Sequence, residues 1–240
     1  MNSLVLLALA LAPGAAIGLY IYFKDKYEHE PIGLVVMSFF MGVISTIITL
    51  LISWPVNWIV SINEKRISEQ AIHAFLLVAL IEEFSKFIFV RGVLYPNKNF
   101  NEPFDGIVYA VSVSLGFAGF ENILYVMNSE NGIATGIMRM FTAVPAHATF
   151  AVLMGYFIGI AKCEKGKAHY AWYGLGAATL FHGAYDYFWF VSYIPGLWAG
   201  AIFSLIIGVF LSRKAIKMHQ QASPFMIRSN NHNHHQNENG

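Results

Sequence analysis

Residues 71–90 read Ala71-Ile72-His73-Ala74-Phe75-Leu76-Leu77-Val78-Ala79-Leu80-Ile81-Glu82-Glu83-Phe84-Ser85-Lys86-Phe87-Ile88-Phe89-Val90. At about 1.5 Å per residue, a helix of this length covers the roughly 30 Å of bilayer hydrocarbon. Its middle carries Glu82, Glu83 and Lys86, although an ionisable group inside a span costs at least about 2.5–3.5 kcal/mol. Such residues are retained for each other or for chemistry. Glu82 and Lys86 are four residues apart and share a helix face, and Glu83, three residues from the same lysine, competes for it.

Six further stretches qualify as spans: 3–23, 32–60, 104–127, 133–161, 168–191 and 194–211. An all-α, multi-pass membrane helix bundle of about seven transmembrane helices follows. Pro55 is the expected break in the second segment, and Tyr193-Ile194-Pro195-Gly196 reads as a tight turn joining antiparallel neighbours. Composition agrees: 56% of the 240 residues are hydrophobic and 12% charged, against about 25% charged in a soluble domain. Mean hydropathy is +0.52. A net charge of +1 with no basic face gives no reason to expect nucleic acid as a partner, and the single cysteine, Cys163, excludes an internal disulfide framework.

The first segment has no positive residue before it and continues past residues 12–15, so it reads as a retained helix rather than a signal peptide. Basic residues set the direction. With the N-terminus outside, Lys24, Lys26, Arg91, Lys98, Lys162, Lys165, Lys167, Arg213, Lys214 and Lys217 fall inside, and the outer loops keep Lys65 and Arg66. The expectation is therefore N-out and C-in, in the bacterial cytoplasmic membrane, with the lipid bilayer as permanent partner. One membrane domain spans 1–212, with a motif core at 71–187. Residues 213–240 form a basic, then Asn/His-rich tail expected to be disordered, and its His232, His234 and His235 read as solvated. Gly132/Gly136 and Gly155/Gly159 read as close helix packing.

Three more spans carry polar groups: Glu121-Asn122 in the fourth, His147 after Pro145-Ala146 in the fifth, and His182 with Asp186 in the sixth. Counted from the outer end of each span at about 1.5 Å per residue, Glu82 and His182 lie about 15 Å deep, Glu121 about 10 Å and His147 about 20 Å. Alternating helices thus bring these groups to one slab. His182 and Asp186 are four apart, so the carboxylate can take a hydrogen bond from one ring nitrogen and aim the other into the bundle. Four acids face Lys86 and Arg139, so some must hold protons or a cation must neutralise them. Glu121, His147 and His182 make a three-ligand set for Zn²⁺ with one open position. Asp105 reads as a helix start, and Arg139 as a carboxylate partner.

Taken together, Glu82-Glu83-x-x-Lys86, Phe117-x-x-x-Glu121, His147 and His182-x-x-x-Asp186 resemble the four motifs of the PrsW-type intramembrane proteases, a branch of the superfamily of CAAX prenyl endopeptidases and bacteriocin-processing enzymes. In the CAAX branch the second motif ends in His, where Glu121 stands here. The resemblance implies peptide-bond hydrolysis of a membrane protein or peptide substrate, of the anti-sigma-factor kind. Glu82, with Glu83 beside it, would activate water. His182, oriented by Asp186, would bind metal or stabilise the oxyanion, while Glu121 and His147 would hold the water or a Zn²⁺. A metal-dependent and a glutamate-only mechanism use the same residues. The competing reading, a transporter or proton-coupled carrier, expects repeated broken helices and titratable groups reaching both faces.

Overall fold

The computed structural model describes residues 3–226, and the described residues form helices joined by short connections, without strands. The helices are α1 (Ser3–Lys24), α2 (Ile32–Ile59), α3 (Ile67–Ile72), α4 (Leu80–Phe89), α5 (Pro103–Asn128), α6 (Gly132–Phe141), α7 (Ala143–Cys163), α8 (Tyr170–Phe190) and α9 (Trp198–Ala222). Two π-helical stretches, His73–Ala79 and Val90–Leu94, join α3 to α4 and extend α4, so 67–94 is one continuous rod. Five segments are long and apolar enough to cross a membrane: α1, α2, α5, α6 with α7, and α9. The rod at 67–94, divided by its π-helical stretches, and α8 carry the charged residues of the site.

Burial is arranged for lipid rather than water. Trp54, Trp58, Phe23, Phe203 and Phe210 are exposed, whereas α5 is buried continuously from Pro103 to Gly119. With no hydrophobic effect to pull helices together in lipid, close backbone approach has to do so, and glycine permits it. A Cβ on Gly42 of α2 would sit 1.8 Å from the Val113 carbonyl of α5, and one on Gly155 of α7 would sit 2.3 Å from the Gly106 carbonyl. Gly159 lies equally close to Pro103, and Gly132 to Val126, as expected of both glycine pairs. Hydroxyls complete the seams: Ser114 donates to the His147 carbonyl at 3.0 Å, and Thr49 and Ser85 share a 2.5 Å bond.

Three expectations need correction. α2 runs through Pro55 without a break and ends only at Ile59. The fifth segment is two helices: Pro145 lacks an N–H and its ring crowds the carbonyl four residues back, Phe141, and the helix breaks at Thr142. α9 continues to Ala222 because Ser212, Ala215, Ile216 and His219 are buried against the bundle, so the basic stretch begins as packed helix rather than tail. The His232, His234 and His235 cluster lies outside the described residues.

Candidate active site

The central residues stand on the first turn of α4, directly after the π-helical stretch, whose wider turn bonds the Leu80 N–H back to the Phe75 carbonyl. π turns recur at functional sites. Here the Phe75 ring lies against Gly183 of α8, where a Cβ would come within 2.4 Å of it. The glycine next to His182 therefore lets α8 close onto the rod that carries the two glutamates.

Those glutamates face different surroundings. Glu83 is fully buried, and its Oε1 accepts from Lys86 Nζ at 2.8 Å and from His182 Nδ1 at 2.8 Å. Glu82 lines a cavity of about 460 Å³, which Glu121, His147, His182, Arg139 and Asp186 also line. Glu83 and Lys86 do not line it. Glu82 Oε2 has no hydrogen-bond partner: Lys86 Nζ is 3.6 Å away and His182 Nε2 3.9 Å.

His182 is bracketed by carboxylates, Glu83 on Nδ1 and Asp186 on Nε2 at 3.2 Å. The His182-Asp186 pairing expected from spacing is present, but the second nitrogen meets Glu83 rather than open space. The ring stacks on Phe150 with centroids 5.0 Å apart. Lys86 is wholly enclosed, with its ammonium 3.3 Å from His147 Nδ1 and 4.0 Å above the Phe117 ring, so Glu83 rather than Glu82 is its nearest acid.

Glu121 does not join this cluster. Its Oε2 accepts from Arg139 Nη2 at 2.7 Å and pairs with His147 Nε2 at 3.0 Å. Arg139 also donates Nε–H to Asn122 Oδ1 at 2.5 Å and lies 4.0 Å over Tyr125. The side chains that can converge on one ion are Glu82, Glu83, His147 and His182, whose donor atoms lie within 4.8 Å of one another. The expected Glu121/His147/His182 set does not gather as one group: Arg139 and His147 both engage Glu121 Oε2, and the clustered donors include Glu82 and Glu83 instead. Two carboxylates and two imidazoles suit Zn²⁺, and the buried, unpartnered Oε2 atoms of Glu82 and Glu83 fit a metal's place.

Asn122 was missed as a site residue. It donates to the Ala10 carbonyl at 3.3 Å while accepting from Arg139, and so ties α1, α5 and α6 behind Glu121. Its signal was present, since an amide beside an intramembrane glutamate needs partners of its own.

Comparison with known proteins gives a consistent result. The profile of the PrsW family intramembrane metalloproteases matches residues 30–221. Protease PrsW of Geobacillus kaustophilus is 41% identical over 185 residues, covering 76% of this chain and 78% of that protein. Protease PrsW of Bacillus subtilis is 36% identical over 186 residues (76% and 81%), and that of Clostridioides difficile 33% over 195 residues (78% and 80%). No solved structure matches the chain.

Proposed function

The chain belongs to the PrsW family of intramembrane metalloproteases, and from that membership we propose how its cavity cuts a peptide bond. The observation that carries the proposal is the Glu82 side chain, which lines the cavity while its Oε2 makes no hydrogen bond within the protein. Glu82 takes a proton from water as it attacks the scissile carbonyl, then returns it to the leaving amine. His182 is fixed in orientation between Glu83 and Asp186 at the cavity wall. Glu83 positions His182 and Lys86. Arg139 holds Glu121, and Glu121 holds the His147 ring, so that wall of the cavity keeps its shape.

Glu83, His147 and His182 would hold the metal, with Zn²⁺ as the proposed ion, leaving the cavity-lining Glu82 carboxylate to the water. When bound, the ion supplies Lewis acidity that polarises the carbonyl and makes the water more acidic. Family membership does not favour a carrier.

The proposed substrate is a single-span membrane protein of the anti-sigma-factor kind. The proposed setting is the cell membrane, crossed by seven rods with the N-terminus outside, a direction supported by the lysines and arginines at one end of the bundle. The test is co-reconstitution of the purified chain with such a substrate. Glu82→Gln should lower cleavage by about 10²–10⁴-fold, the range for a general base, with the fold intact by thermal unfolding. Undiminished cleavage by that variant refutes the role of Glu82.

A further inference from the structure

A second cluster lies far from the cavity. Asp25 follows α1, Glu102 immediately precedes α5, and Asp105 is in its first turn. Donor atoms of the three lie within 4.8 Å of one another. From Asp105 to Glu121 is sixteen residues along α5, about 24 Å at 1.5 Å per residue. All three acids are buried, with Asp25 at 1% exposure, Glu102 at 1% and Asp105 at 0%.

Part of the cluster is explained by local structure. Asp105 Oδ2 accepts the backbone N–H groups of Asn101 at 2.8 Å and Glu102 at 2.9 Å, closing the start of α5. Glu30, also buried, accepts from the Tyr109 hydroxyl. The remaining oxygens are not explained. Both carboxylate oxygens of Asp25, Glu102 Oε2 and Asp105 Oδ1 are enclosed without an N–H donor, and the acids instead meet one another, Asp25 against Glu102 and Asp105 against Glu30. Among the described residues, none of these acids takes part in an ion pair. Buried carboxylate oxygens that meet one another without an N–H donor, drawn from two chain segments, are what a cation requires.

We propose that Asp25, Glu102 and Asp105 bind a hard divalent cation of the Ca²⁺, Mg²⁺ or Mn²⁺ class, at the end of α5 opposite the catalytic cavity. The all-oxygen donor set selects this class, whereas the imidazoles of the other site suit Zn²⁺. The cation joins the α1–α2 connection to the start of α5, the helix that also carries Glu121. The site does not depend on the peptidase reading.

Mn²⁺ is the probe, because its electron paramagnetic resonance signal separates free from bound ion. The full chain in detergent is stripped with chelator and titrated with Mn²⁺, with His182→Ala as the background that removes an imidazole from the other cluster. One Mn²⁺ should bind in that background and be displaced by Ca²⁺ or Mg²⁺. Asp25→Asn and Glu102→Gln should each weaken binding at least tenfold. Far-ultraviolet circular dichroism checks folding, and the two variants, on different chain segments, check each other. Mn²⁺ binding unchanged in both variants overturns the site. So does the absence of any bound Mn²⁺ in the His182→Ala chain, which would mean that protons alone neutralise the acids.

Discussion

Glu82 and Glu83 are adjacent in sequence, yet replacing them one at a time should change stability by very different amounts. Glu83→Gln keeps the shape and one acceptor but removes the charge that holds Lys86 and His182, each 2.8 Å from Oε1. Hydrogen bonds to a charged group contribute about 1.5–3 kcal/mol each, so two give about 3–6. Breaking a buried ion pair costs about 3–5 kcal/mol. A loss of about 4 kcal/mol is expected. At about 2–4 °C per kcal/mol for a chain of this size, Tm should fall by about 8–16 °C. Glu82→Gln disturbs an oxygen that has no hydrogen bond, so its cost should stay below about 1 kcal/mol and its Tm shift below about 4 °C. The assay is thermal unfolding of both variants in detergent micelles, alongside substrate cleavage. Glu83→Gln melting within about 3 °C of the parent, or Glu82→Gln falling as far as Glu83→Gln, would refute the assigned division between a glutamate that anchors Lys86 and His182 and one that lines the cavity.

Asp186→Asn leaves His182 with one carboxylate instead of two. It should lower kcat by about 10–100-fold, as loss of a ligand-orienting partner does, with KM little changed in steady-state cleavage. Exhaustive chelation should abolish cleavage and Zn²⁺ should restore it; full turnover by the stripped enzyme counts against the metal. Gly155→Ala drives a Cβ to within 2.3 Å of a carbonyl on α5 and should prevent recovery of folded protein, while Gly176→Ala, with nothing within 4 Å, should be neutral or stabilising by up to about 1 kcal/mol. Burial, with Glu102 nearby, pushes the Asp25 carboxyl up to about 8. A raised carboxyl pKa means that the fold favours the protonated form. In chelator, Tm should therefore decline from about pH 4 to about pH 8, and Asp25→Asn should show a shallower decline, Glu30 and Glu102 keeping part of it; equal slopes would contradict this account.

The bundle and most of the site were legible because intramembrane charges are costly and so conspicuous. Glu82, Glu83, His147 and His182 do converge, and both Lys86 and Asp186 stand beside them as spacing implied. What could not be read was which partner each polar group would find. Glu121 looked like a ligand by depth, but Arg139, two residues before the α6 terminus, reaches it first. Glu83 looked as accessible as Glu82, because helical spacing does not say which of two adjacent residues faces a cavity assembled by other helices. The acids at 25, 102 and 105 gave no signal at all: each reads as an ordinary loop or helix-start charge until the fold buries them together. The continuation of α9 was hidden by its basic residues, since Arg213, Lys214 and Lys217 lie on one side while Ala215, Ile216 and His219 pack on the other.

The π-helical stretch at His73–Ala79 also sets an angular phase. A π turn holds one residue more than an α turn, and one residue corresponds to about 100° of rotation. If the ladder relaxed to regular α spacing with the same number of residues, everything downstream would swing by that angle. Glu82 would then point away from the hollow without any change in its own identity or neighbours in sequence. The orientation of the acidic pair is thus indexed by a backbone irregularity one to two turns before it, so a one-residue insertion across 73–79 should disturb the candidate site as directly as substitution within it, whereas a one-residue deletion there should be the better tolerated change.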